Sequence, residues 1–243
     1  MEKLIKTILR KVRTASLNYH LVEAGDRIAV AMSGGKDSMA LLYFLNLLKQ
    51  RVPFAFELIP VYIDLGWENQ VGPMTAFCSV LGYPLQVKFT AIGKIVFDLR
   101  QEKSPCALCA NLRRGAINRT AAALGCNKVA LGHHLDDAVN TLFMSLLYER
   151  RYRVFKPLTY LDRMDITFIR PFIYVEENEI KNFSTQMNIP SVPNQCPADG
   201  NTKRAEVSRL LNLMENAHPG LRQKILAGIE QAEPDSFWKP FIR

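Results

Sequence analysis

Ser33-Gly34-Gly35-Lys36-Asp37-Ser38 is the densest cluster of reactive residue types in this 243-residue chain. Two glycines let successive backbone N–H groups turn toward one anion, and a helix beginning just after them adds the positive end of its dipole. Oxyanions of a phosphate chain fit such a loop. A Walker A loop would need Gly and Ser/Thr where the chain has Val30 and Asp37, and the dinucleotide fingerprint G-x-G-x-x-G is absent at this point. A plain strand-to-helix turn would need one Gly, but not Ser, Lys, Asp and Ser together.

Two further blocks carry chemistry. Leu131-Gly132-His133-His134-Leu135-Asp136-Asp137 lies at another expected strand end. Carboxylates at a helix start can hold Mg2+ beside phosphates, with Asp136 alternatively serving as an N-cap. Neighbouring His133 and His134 point different ways, so they shape a loop rather than share a metal. The third block is Cys106-Ala107-Leu108-Cys109, a C-x-x-C pair open to zinc, redox or cluster chemistry. Cys196, between Pro193 and Pro197, adds a third thiolate. Three thiolates without an obvious fourth ligand suit a cluster with one open iron better than a closed structural zinc site; zinc held by three Cys and water is the competing occupant. Cys78 and Cys126 sit in apolar surroundings and read as core.

The elements that must position these residues alternate in type. RIAVAM, FAFELIPVYIDLG, PLQVKF, NKVALG and DITFIRPF read as strands. SMALLYFLNLLKQ, TAFCSVLG, residues 107–124 and residues 136–150 read as helices. Near-continuous apolar strands between helices imply a parallel sheet covered on both faces, with both phosphate-type blocks at one edge of it. Ahead of the sheet, Leu4, Ile5, Ile8, Leu9 and Val12 share a helical face backed by five basic residues. Behind it, a Pro-rich loop precedes KRAEVSRLLNLMENA, capped by Asn201 or Thr202 and with Val207, Leu210, Leu211 and Met214 on one face, and then LRQKILAGIEQA. The expected division is 1–24 as a basic helix, 25–190 as an α/β domain, and 191–243 as a helical extension with an aromatic tail of Phe237, Trp238 and Phe241.

With 48% hydrophobic and 22% charged residues, the chain is an ordinary globular one, and its net charge of +8 favours polyanionic partners. Glu149 to Lys156 interleaves aromatics with Arg150, Arg151, Arg153 and Lys156, and Arg113, Arg114 and Arg119 follow the cysteine pair. Phosphate contacts with base stacking are what single-stranded RNA loops need. Five cysteines, no secretory h-region in MEKLIKTILRKVR and no bilayer-length apolar run lead us to expect a reducing cytoplasm and no membrane.

SGGKDS after an apolar strand resembles the PP-loop of the N-type ATP pyrophosphatases, which split ATP between the α and β phosphates and adenylate a substrate. LGHHLDD is similar to that family's LGHHxDD block. With PCALCANLRRG at 105–115 and a late cysteine in a Pro-rich segment, the chain resembles the TtcA type, which makes 2-thiocytidine in tRNA. The resemblance spans roughly residues 25–215. It departs where Asn194 and Gln195 precede a single Cys196, since relatives often carry a second cysteine there, and at Asn140, where many relatives have Glu. Lysidine-synthetase-like members lack the cysteine set, and thiolating relatives with zinc ribbons carry extra C-x-x-C pairs.

The resemblance implies a Rossmann-like parallel sheet with helices on both faces, and ATP, Mg2+ and a 4Fe-4S cluster as cofactors. It implies that Gly34 and Gly35 give backbone donors, Ser33 and Ser38 hydroxyl contacts, and Lys36 a charge to the phosphates. Asp37 and Asp137 hold Mg2+, Gly132 borders the nucleotide, and Ala31, Met32 and Ile63 lie under adenine. Cys106, Cys109 and Cys196 hold the cluster, which carries sulfur. tRNA, a sulfur donor (cysteine desulfurase or hydrosulfide) and a second copy of the chain are the implied partners. The rival readings are a PP-loop enzyme acting on another RNA base or small acceptor, and a non-catalytic metal-binding RNA protein.

Overall fold

The run Arg27–Met32 is apolar after its first residue and forms β1, whose side chains are buried on both faces, as in strands central to a covered sheet. The computed structural model describes residues 1–67, 71–100, 105–192 and 203–232. They form two compact units, residues 1–134 with 156–201 and residues 135–155 with 202–243. The first unit contains β1, β2 (Glu57–Asp64), β3 (Gln86–Phe89), β4 (Lys128–Ala130), β5 (Leu158–Leu161) and β6 (Ile166–Ile169) in one sheet of order β3-β2-β1-β4-β6-β5. β1 pairs in parallel with β2 on one side and β4 on the other. The chain therefore changes direction of winding between β1 and β4, and a ligand crevice opens there at the carboxyl ends of the strands.

The same unit holds α1 (Glu2–Asn18), α2 (Lys36–Lys49), α3 (Gly72–Val80), α4 (Ile92–Lys94, continued by a π-helical turn to Arg100), α5 (Pro105–Ala123) and α7 (Glu177–Gln186). α1, α2 and α7 pack on one another, with Phe44 at the centre of a ring cluster formed with Phe172 and Phe183. α4 and α5 cover a separate core, in which Ala29, Val61, Ile63 and Val129 from the sheet meet Ile117 and Ala121 from α5. At the amino ends of the strands, Lys128 is buried between Asp26 (2.8 Å) and Glu23 (3.2 Å). Asp26 also accepts from Asn127 Nδ2 at 2.8 Å and from the Glu23 N–H at 2.6 Å.

The five strands expected from the sequence pair in parallel, and three features add to or depart from the expected elements. The sheet is parallel except at one edge, because β5 runs antiparallel to β6 across a short turn that leaves no room for a crossover. The helix expected over 136–150 is α-helical only from Leu135 to Met144, after which a π-helical stretch runs to Glu149 and ends on a left-handed Arg150 (φ 55°). Glu177–Gln186, which the strand-and-helix reading passed over, is helical.

The second unit contains α6 (Leu135–Met144), α8 (Lys203–Ala217) and α9 (Leu221–Glu230), with α6 packed against both others. Val207 and Leu211 of the expected α8 face are fully buried, whereas Leu210 is exposed. The expected caps Asn201 and Thr202, the Pro193–Pro197 segment with Cys196, and Phe237, Trp238 and Phe241 lie outside the described residues. Among the described residues, no helix is long and apolar enough to cross a membrane.

Candidate nucleotide and thiolate site

The SGGKDS loop leaves β1 at Ser33 and enters α2 at Lys36. Gly34 has φ +81°, the left-handed conformation that favours glycine, and is buried. A Cβ built on it would stand 2.9 Å from the Val192 Cβ, while the Val192 N–H donates to the Gly34 carbonyl at 2.9 Å. The two serines brace the loop from within. Ser38 Oγ donates to the Gly35 carbonyl at 2.9 Å and accepts from the Ser33 N–H at 3.1 Å, and Ser33 Oγ accepts from the Gly35 N–H at 3.3 Å.

Lys36 projects from the first turn of α2. Its ammonium lies 3.2 Å from Asp37 Oδ1 and 3.0 Å from Glu177 Oε1. Burial pulls its pKa down, but these two carboxylates outweigh that effect and hold it above the usual lysine value. Lys36 is a fixed cation throughout the neutral range.

The start of the second block lies in the same unit as the loop. Gly132 follows β4, and a Cβ there would meet backbone atoms of Asp37 and Ser38 at 3.2–3.3 Å. Glycine is what allows the β4 loop to lie against the start of α2, so the structure brings Gly132 together with Lys36, Asp37 and Ser38. His134 is buried and His133 half-buried. In the second unit, Asp136 and Asp137 stand in the first turn of α6. Asp136 does not take the alternative role of N-cap: α6 already begins at Leu135, and the Asp136 carboxylate pairs with Arg222 Nε at 2.8 Å. Asp137 Oδ1 accepts from Arg204 Nη2 at 2.7 Å. Asn140 accepts from Ser208 Oγ at 3.0 Å, giving it a packing role in holding α8.

Ala31 and Ile63 face the same core, and Met32, one position on from Ala31, points to the opposite face of the sheet. Cys106 and Cys109 lie at the start of α5, three apart and so on one helical face. Cys106 is exposed, and Cys109 is half-buried against the α5 core. Such a pair is chemically suited to a thiophilic metal centre. Among the described residues no three His, Cys, Asp or Glu converge as a metal site. Cys78 is fully buried, which pushes its thiol up to about 11, and burial also raises Cys126; both are core residues, as expected. Arg113 and Arg114 are exposed on α5 beyond the cysteines. Arg170, just past β6, is buried with Nη1 donating to the Lys156 carbonyl at 2.6 Å, and desolvation, with the nearby charge of Arg114, lowers it to about 10. Arg170, Glu177, Arg204 and Arg222 were not singled out by the sequence.

A phosphate-type loop and a glycine-bearing second loop at the switch point of a mostly parallel sheet define a nucleotide-binding α/β protein of the PP-loop class. The PP-loop domain model matches residues 4–213. The chain is 36% identical over 237 residues to the tRNA-cytidine(32) 2-sulfurtransferase of Syntrophotalea carbinolica, covering 96% of this chain and 92% of that protein. It is equally 36% identical over 233 residues to the enzyme of that name from Geobacter sulfurreducens, covering 94% and 91%. The chain belongs to the PP-loop family and, within it, to the tRNA-cytidine(32) 2-sulfurtransferase group. In three dimensions it is similar to the U34-tRNA thiolase NcsA of Methanococcus maripaludis, solved with its 4Fe-4S cluster. The TM-score is 0.78 at 26% identity, over 96% of this chain and 80% of that one.

Proposed function

We propose that this protein is an ATP-dependent tRNA sulfurtransferase that converts the cytidine at position 32 of the anticodon loop to 2-thiocytidine. The single observation that carries the reading is Gly132 lying against Asp37 and Ser38. This packs a second loop onto the SGGKDS loop at the switch point, in a chain whose relatives act on that base. The loop receives the β and γ phosphates, with Gly34 and Gly35 giving backbone donors, Ser33 and Ser38 hydroxyl contacts, and Lys36 the positive charge. Asp37 and Asp137 hold Mg2+, which screens the phosphates when bound. Ala31, Met32 and Ile63 form the adenine end of the site.

The cytidine O2 attacks the α-phosphorus while the bond to the β-phosphate bridge breaks and pyrophosphate leaves. Hydrosulfide then adds at C2, and AMP departs with the original oxygen, so the step involves no net redox change. Cys106, Cys109 and Cys196 hold a 4Fe-4S cluster, which when bound supplies a carrier for sulfur. Free hydrosulfide supplies this sulfur directly, and a cysteine desulfurase supplies it once a thiol reductant has brought its persulfide sulfur to the hydrosulfide level. Arg150, Arg151, Arg153 and the basic face of α1 contact RNA phosphates. We assign residues 1–24 as the basic helix, 25–190 as the catalytic domain and 191–243 as the extension, in a cytoplasmic homodimer.

The test is the fate of ATP with unmodified tRNA and sulfide. AMP and pyrophosphate, formed only when tRNA is present, support the reading; ADP and phosphate overturn it.

A further inference from the structure

Lys36 is already engaged by two carboxylates, and they are not equivalent. Asp37 adjoins it in the first turn of α2 and is fixed by the backbone that carries both. Glu177 comes from α7, remote in sequence, and its side chain is about half exposed (51%) at 3.0 Å from the ammonium. The backbone of α7 does not depend on that contact. A capping box between Glu176 and Glu179 closes its first turn, and Lys11 ties the same pair to α1, at 2.7 Å from Glu179. The Glu177 carboxylate can therefore leave Lys36 without loosening its helix. Once released it remains at a helix N-terminus, where the dipole favours a negative charge.

A polyanion arriving at the loop meets one ammonium bearing two negative partners, and one of them must yield. We propose that Glu177 is a phosphate stand-in: its carboxylate occupies Lys36 while the loop is empty, gives way to the pyrophosphate moiety, and returns as pyrophosphate leaves. It is a positioning residue acting through Lys36, and its effect is to weaken product binding and hasten release. This rests on the reading of SGGKDS as the pyrophosphate site.

The test is calorimetric titration of inorganic pyrophosphate, with Mg2+, into the wild type, Glu177→Gln, Lys36→Met and the double variant, with melting curves confirming that each is folded. Glu177→Gln removes the competing charge and keeps the shape, so pyrophosphate should bind about two- to fivefold tighter, the range of a part-exposed ion pair. Its dissociation rate should fall to match. Lys36→Met should bind more weakly, and adding Glu177→Gln to it should change nothing, because the effect passes through the ammonium. Unchanged or weaker binding by Glu177→Gln would overturn the proposal while leaving the loop assignment standing. Equal tightening in the Lys36→Met background would also overturn it, by showing a general charge effect. A wild type that binds no pyrophosphate would remove the loop reading and this proposal together.

Discussion

Gly34→Ala separates two costs that the structure places on one residue. The first is conformational: at φ +81°, an L side chain costs about 1–2 kcal/mol. The second is steric, because the new Cβ would lie 2.9 Å from the Val192 Cβ. A rotamer change cannot relieve that contact, since a Cβ moves only with its backbone, and the Val192 backbone is tied to Gly34 by their hydrogen bond. Overpacking of this kind costs about 1–3 kcal/mol. The two together come to about 2–5 kcal/mol, or a fall in Tm of about 4–20 °C for a chain of this size.

The second-site variants make the division testable by urea unfolding and thermal melts. In a Val192→Gly background the steric share vanishes, so Gly34→Ala should cost only about 1–2 kcal/mol relative to that background. Val192→Ala keeps its Cβ and should relieve nothing. Equal costs in the wild-type and Val192→Gly backgrounds, or rescue by Val192→Ala, would show that the Val192 Cβ is not what the new methyl group meets.

Other outcomes follow from features away from the loop. Asp26→Ala leaves the buried Lys128 ammonium with the more exposed Glu23 carboxylate and the Leu21 carbonyl, and should destabilise toward the lower end of about 3–5 kcal/mol, while the folded protein binds pyrophosphate as before; a loss under 1 kcal/mol in urea unfolding would contradict the buried pair. At pH 8 iodoacetamide should modify exposed Cys106, followed by mass spectrometry, but not Cys78, whose thiol ionises near 11 and stays protonated. Raising the pH toward 11 should increase the thiolate fraction of Cys78, and rapid labelling at pH 8 would contradict its burial. Neutralising Arg150, Arg151 and Arg153 should reduce the slope of log tRNA affinity against log salt by about 2, at about 0.7 per single-stranded phosphate contact; an unchanged slope would remove those residues from the interface.

β1, the glycine loop and α2 were legible because three local signals agree there: an unbroken apolar run, adjacent glycines and a long, mostly apolar stretch with no helix breaker, buried at Met39 to Leu42, Phe44, Leu45 and Leu48. The cysteine pair was equally visible, since both residues fall in one helical turn. α7 was missed because its capping box uses Glu176 and Glu179 rather than a Ser or Thr cap, and its buried side is only Ile180, Phe183 and Ser184. β5 was missed because a four-residue edge strand with half-buried side chains carries little periodicity. The ion pairs Lys36–Glu177, Asp137–Arg204 and Asp136–Arg222 join residues dozens to more than a hundred positions apart. No local pattern encodes such pairs, and an Asp in the first turn of a helix has the same local signature whether it caps the helix or pairs with a distant Arg.

Nucleoside mass spectrometry of tRNA from a strain lacking this gene reads sulfur transfer to cytidine at the product itself. Complementation with the wild type should restore 2-thiocytidine at position 32, whereas Asp37→Ala, Lys36→Ala and Cys106→Ser should not. Unchanged 2-thiocytidine in the deletion strain, or its restoration by the Asp37→Ala and Cys106→Ser variants, would contradict the account.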